Sequence, residues 1–167
     1  ALRSVEDVGW HAVGTWAYVS VANGMCRTGL YDDQQLIGGS TFLFITPNLD
    51  AAATDGAQVT TSDTLSFDLF TDSGFQVSGI QIVELGSYST TGDATVDINA
   101  NLSVDDISAG ASRNTTGTMF FNPLPPFGDP TGTFQGNVLA DLSFGAAWTD
   151  IHVEFTNNLI AISTPGH

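Results

Sequence analysis

Apolar and polar residues alternate along much of this chain with a period of two. Ala94, Val96, Ile98, Ala100, Leu102 and Val104 alternate with Thr95, Asp97, Asn99, Asn101 and Ser103. One row therefore faces a core and the other faces water, as in a half-exposed antiparallel strand. Phe134, Val138, Ala140, Leu142 and Phe144 repeat the pattern with Gly136 in the apolar row. Ile151, Val153 and Phe155 begin a further strand that Leu159 to Ile162 continue. Leu65, Phe67 and Leu69, then Phe42 and Phe44, then the stretch Trp10 to Val21 complete the main runs, and Met119 to Phe121 is a short one. Between Phe75–Val77 and Ile80–Ile82 the phase changes at Ser78-Gly79, where one extra residue in a β-bulge keeps both pairs facing inward.

Turn chemistry separates these runs: Asn23-Gly24, Gly38-Gly39, Asp55-Gly56, Asp72-Ser73-Gly74 and Thr91-Gly92-Asp93. Closely spaced strands of this kind predict an all-β fold, an antiparallel two-sheet β-sandwich of jelly-roll type, with residues 1–167 as one domain. The segment 122–130 holds four prolines, which forbid a central strand and suggest an extended crossover between the sheets. Val96, Ile98, Leu102, Val138, Leu142, Phe67 and Val153 are expected in the core. Asp97, Asn99 and Asn101 are expected on the opposite face.

Composition strengthens the β reading. Of 167 residues, 42% are hydrophobic and only 13% charged, so the polar surface is built from Ser, Thr, Asn, Gln and Asp. Short polar side chains compete for backbone hydrogen bonds and favour strands and turns over helices. Lysine is absent, and the net charge of −15 is opposed only by Arg3, Arg27 and Arg113. Three arginines cannot make the basic stripe a nucleic acid requires, and an anionic membrane surface is disfavoured likewise. No apolar run reaches the ~18 residues of a membrane span. The single cysteine, Cys26, excludes an internal disulfide. A start at Ala1 without Met reads as a mature exported chain whose signal peptide has been removed.

Candidate chemistry is sparse, and no enzyme is expected. There is no Gly-x-Ser-x-Gly elbow. Cys26 with His11 or His152, and Arg27 as cationic neighbour, is the sole thiol–imidazole option, and a buried small hydrophobe is the ordinary role for such a cysteine. His152, between Ile151 and Val153, is expected on the outer face of its strand. Glu84 and Glu154 are the better acid–base candidates, and both are expected to face outward. Asp97-x-Asn99-x-Asn101 begins like a calcium loop, but Leu102 and Ser108 stand where Gly and Glu are required. Calcium is better sought where acids adjoin turns, at Asp32-Asp33, at Asp105-Asp106, and at Asp72 near Asp68. Trp10, Trp16, Trp148, Tyr18, Tyr31 and Tyr88 could stack sugars. Tyr31 and Tyr88, in loop-like sequence, are the ones expected to be exposed for a ligand.

The segment Ile151-His-Val-Glu-Phe-Thr-Asn-Asn-Leu-Ile-Ala-Ile-Ser-Thr-Pro-Gly166 resembles the final strands of exported PEP-CTERM-type bacterial surface proteins. The stretch Gly-Ser-Tyr-Ser-Thr-Thr-Gly-Asp-Ala-Thr-Val at 86–96 is similar in flavour. The Pro-Glu-Pro motif, apolar helix and basic cluster of the sorting signal are not in this sequence. The resemblance implies an extracellular matrix or cell-surface role and carries over no catalytic residue. The expected function is that of a secreted structural or interaction protein. It would self-associate through terminal strands, residues 1–22 or 151–162, in a surface layer, fibre or biofilm matrix. The alternative is a carbohydrate-binding module, with polysaccharide as its partner and calcium as its cofactor.

Overall fold

In a computed structural model the described residues are 5–12, 32–37, 41–45, 50–71, 74, 76–108, 113–127 and 130–165, with backbone and register alone described before residue 50. They form ten strands: β1 (Val5–Ala12), β2 (Asp32–Ile37), β3 (Thr41–Ile45), β4 (Gln58–Phe70), β5 (Gly79–Ser89), β6 (Thr95–Asp106), β7 (Arg113–Thr118), β8 (Phe120–Asn122), β9 (Thr131–Asp141) and β10 (Asp150–Ile162). A six-stranded sheet runs β2-β3-β1-β5-β9-β8, a four-stranded sheet runs β4-β10-β6-β7, and every pairing is antiparallel. The fold is the all-β, two-sheet sandwich that the alternation predicts. Among the described residues no helix is long and apolar enough to cross a membrane.

The alternating rows meet between the sheets. Along β6 the even residues Val96 to Val104 are buried, along β9 Phe134, Val138 and Ala140, and along β10 Ile151, Val153, Phe155 and Leu159. Asn99 and Asn101 are exposed on the other side, with Asp97 half-buried beside them. Of the expected core residues, Phe67 alone is only half-buried, at the margin of the cluster. Phe144 does not continue the β9 row: it lies beyond the strand end and is 78% exposed.

Three local readings need correction. The phase change before Ile80 is a strand boundary and no bulge. β5 begins at Gly79, while Val77 donates its N–H to Trp148 O (2.7 Å) and Ser78 O accepts from Leu142 N–H (3.0 Å). Phe75 falls outside the described residues. The Pro-rich segment is not the crossover. The chain changes sheets at Met119, between β7 and β8, and 122–130 joins β8 to its own neighbour β9. What the segment delivers is Phe127, whose backbone exchanges two hydrogen bonds with Val96 (2.7 and 3.2 Å). Asp32 and Asp33, expected in a loop, open strand β2.

Phe127 stacks between Tyr88 (centroids 4.5 Å apart, 8° between planes) and Phe134 (5.6 Å, 14°), and Phe134 meets Phe121 edge-on (5.9 Å, 72°). Two glycines make room for these rings. Gly86 lies opposite Phe134 in register and Gly132 opposite Tyr88, and a Cβ at either position would strike the facing ring. Each ring thus lies flat over a backbone that has no side chain, which seals this end of the core.

Candidate functional site

The two outer faces of the sandwich differ in chemistry. On the four-stranded sheet, register sets side chains of β4, β10, β6 and β7 in rows: Asp68–His152–Asp105–Asn114, Ser66–Glu154–Ser103–Thr116, Thr64–Thr156–Asn101–Thr118 and Ser62–Asn158–Asn99. Hydrogen bonds run across the strands within these rows. Thr64 and Thr156 share one through their hydroxyls (2.9 Å), Thr118 donates to Asn101 Oδ1 (3.1 Å), and Asn158 donates to Asn99 Oδ1 (2.9 Å). Asn114 donates to Asp105 Oδ1 (2.7 Å) and Ser103 Oγ (2.8 Å). These side chains are short and cross-braced, so little rotamer entropy remains for a ligand to quench. Asn101, Ser103, Thr116, Thr118, Glu154 and Thr156 line a shallow depression of about 360 Å³.

His152 is the most connected group on this face. Nδ1 is 2.6 Å from Asp68 Oδ1, and Nε2 is 3.3 Å from Ser66 Oγ and 3.5 Å from Glu154 Oε1. The connectivity Ser–His–Asp is that of a nucleophile, its base and an orienting acid. The same carboxylates set the electrostatics of the ring. Partial burial lowers the imidazole pKa, but hydrogen bonds and charges from Asp68 and Glu154 outweigh burial and raise it. The cluster ties β4 to β10 on the outer face of their sheet.

On the other face, the described side chains of β5, β9 and β8 include one ionisable group, Asp141 at the end of β9, and the adjoining β1 sets Asp7 opposite Leu85 in register. This face exposes Phe120 (64%), Leu139 (57%) and Leu85 (44%). Phe120 pairs with Asn137 in register, which makes Leu139 its diagonal neighbour about 7 Å away. A groove of about 560 Å³ runs beside them, lined by Leu85, Ser87, Asn122, Pro123, Thr133 and Gln135.

The ligand-site candidates read from sequence do not converge. Tyr31 and Asp72 lie outside the described residues. Tyr88 is buried under Phe127, so it is a core ring and no sugar platform. Asp68 sits within β4, committed to His152. Asp105 and Asp106 are adjacent in a strand and so point to opposite faces, which prevents both from gripping one cation. Asp106 turns inward: Oδ1 accepts from Ser108 N–H (3.0 Å) and Oγ–H (2.5 Å), and Oδ2 from Arg113 Nε (2.8 Å) and Nη2 (2.5 Å). The same guanidinium donates to the carbonyls of Ala146 and Ala147 and lies 4.2 Å above the Trp148 ring. Trp148 is thereby a buried structural ring. Among the described residues no group of three or more His, Cys, Asp or Glu is disposed to hold a metal ion.

Glu84 overturns its expected place. It falls in the row of Ile80 and Ile82, faces inward and is fully buried, whereas Glu154 is exposed as expected. Across the core, Asn157 occupies the apolar row of Phe155 and Leu159 and is equally buried. Its Nδ2 donates to Glu84 Oε1 at 2.6 Å, joining the two sheets. Burial pushes the Glu84 carboxyl up to about 8, against the lowering effect of the Asn157 hydrogen bond. Parity was the available signal: Glu84 shares its phase with Ile80 and Ile82, and Asn157 with Phe155 and Leu159.

Comparison of the chain with protein-family models, with curated proteins and with solved structures finds no match.

Proposed function

We propose that this chain is a non-catalytic extracellular structural protein that self-associates through the outer face of β8, β9 and β5. The observation that carries the reading is the contrast in charge. On a chain of net charge −15, the described side chains of these three strands put a single acid and three exposed large apolar groups on this face. Exposed apolar patches of this kind mark protein–protein contacts, and here a second copy approaches with least electrostatic opposition. The expected route through terminal strands is set aside. Among the described residues β1 is paired on both sides, by β3 and β5, and β10 by β4 and β6, so an exchange of either strand would have to replace those pairings. Sedimentation velocity across a concentration series, at low and high salt, tests the proposal. The intact chain should associate more strongly as salt screens the net charge, and Phe120→Asp with Leu139→Asp should remain monomeric. A wild type that stays monomeric throughout would refute it.

The cross-braced face of the four-stranded sheet favours a second reading, binding of a neutral polysaccharide. Its fixed hydroxyls, amides and carboxylates match the donors and acceptors of sugar hydroxyls, and its acids repel anionic chains. Binding on a neutral glycan array that is lost in Asn101→Ala with Thr156→Val would support it; equal binding by the variant would exclude it.

A further inference from the structure

The Glu84–Asn157 contact leaves two buried atoms without a hydrogen-bond partner, Glu84 Oε2 and Asn157 Oδ1. They are the second polar atoms of the same two planar groups that already meet through Nδ2 and Oε1 at 2.6 Å. Two acceptors cannot bond one another. A carboxylate at Glu84 would leave both buried and unpaired, which native cores rarely tolerate. One added proton removes both defects at once.

We infer that Glu84 is the neutral acid in the folded protein, that its Oε2–H donates to Asn157 Oδ1, and that this acid–amide pair is a pH-operated latch between the two sheets. The surroundings favour that state. Register places Val8 of β1 and Gly136 of β9 beside Glu84, and Ala100 of β6 beside Asn157, none of which ionises. On β5 itself the flanking inward residues are Ile82 and Gly86, with Tyr88 two rows on. The titratable group facing the pair is Asp63, opposite Asn157 on β4, half-buried and accepting from Thr64 N–H. Arg113, the arginine among the residues with described side chains, is engaged by Asp106. The raised carboxyl pKa agrees with this geometry and sets where the latch opens.

The sign follows from the acid being neutral when folded. Below the ordinary value of 4.5 the proton is bound in both folded and unfolded chains, and the latch is fully stabilising. Its contribution is lost as pH rises from there through about 8. Acidic to neutral media keep the sheets pinned, and alkaline media release them.

The chain has three glutamates, so selective ¹³C labelling of glutamate carboxyls gives three resonances to titrate in the intact protein. One should titrate with a midpoint near 8 and vanish in Glu84→Gln. Protection factors of the β5 and β10 amides, which divide out the base-catalysed intrinsic rate, should fall above that pH in the wild type and hold steady in Glu84→Gln, whose amide can make both bonds at any pH. The wild-type titration needs no variant. Three glutamates fully ionised by pH 6, or Glu84→Gln protection factors that fall with pH as in the wild type, would overturn the latch.

Discussion

Replacing Arg113 by Met should cost about 2–4 kcal/mol at pH 6. Met keeps the apolar stem and removes the guanidinium, so the losses can be traced one by one. Two charge-assisted hydrogen bonds onto the single oxygen Asp106 Oδ2 disappear, and counted together as one forked contact at a partly exposed site they contribute roughly 1.5–3 kcal/mol. The cation over Trp148 adds about 0.5–1 kcal/mol. The carbonyls of Ala146 and Ala147, in exposed residues, find water instead and cost little. Removing one partner of a deeply buried pair costs about 3–5 kcal/mol. This pair falls below that, because Asp106 is covered but close to the surface, Arg113 is 30% exposed, and Ser108 still donates to the orphaned carboxylate. Urea denaturation is the assay: with a slope of about 2 kcal/mol/M the midpoint should fall by about 1–2 M. The loss should also depend on pH. Burial raises the Asp106 pKa, but hydrogen bonds from Ser108 and Arg113, with the Arg113 charge, outweigh it and hold the carboxyl below its ordinary 3.8. A depressed acid stabilises above its unfolded value and loses that contribution as pH falls through the folded one. The gap between wild type and variant should therefore narrow below about pH 4, and adding Asp106→Asn to the variant should recover part of the loss. A cost under about 0.5 kcal/mol at pH 6, or one that does not shrink in acid, would refute this account.

Glu84→Gln should be neutral near pH 4.5 and more stable than wild type by up to ~5 kcal/mol above pH 8, the full span between about 8 and 4.5, read from denaturation midpoints across that range. Gly86→Ala and Gly132→Ala should each destabilise by roughly 1–3 kcal/mol, because the new methyl group meets the Phe134 or Tyr88 ring, and a fall in melting temperature checks this. The raised pKa of His152 contributes stability that is complete below about 6.5 and lost as pH rises through the folded value. In a Glu84→Gln background, which removes the larger alkaline effect, His152→Gln should flatten the remaining slope by a few tenths of a kcal/mol.

The sandwich was legible because β6, β9 and β10 alternate over long runs, and burial against water is what period two encodes. Strand order was not legible, since it depends on which rows complement one another across the core. β7, Arg-Asn-Thr-Thr-Gly-Thr, has no apolar row to announce it and is a strand because β6 offers it an edge. Tyr88 was misjudged from its Ser- and Thr-rich neighbours, although what buries it is Phe127, arriving from a proline-rich segment 39 residues on. Glu84 was misjudged because residue type was weighted above phase. Its inward position became affordable only with Asn157, 73 residues away, as partner. His152 was correctly placed outside, but its link to Asp68 spans 84 residues and could not be seen locally.

The central position of β10 has a consequence for how the molecule is made. β4 and β6 each pair with β10 and not with each other, so the strand that joins them follows both in the chain. Until residues 150–162 emerge, β4 has no partner of its own sheet and β6 has only the short β7. Both then present open edges and an uncovered apolar row, the state most prone to mispairing. The pairings β4–β10 and β6–β10 span many residues, and such long-range closure is slow. The four-stranded sheet is therefore completed only when β10 arrives. A chain halted anywhere before residue 150 would hold the components of that sheet without the strand that unites them, and would be a substrate for chaperones and proteases.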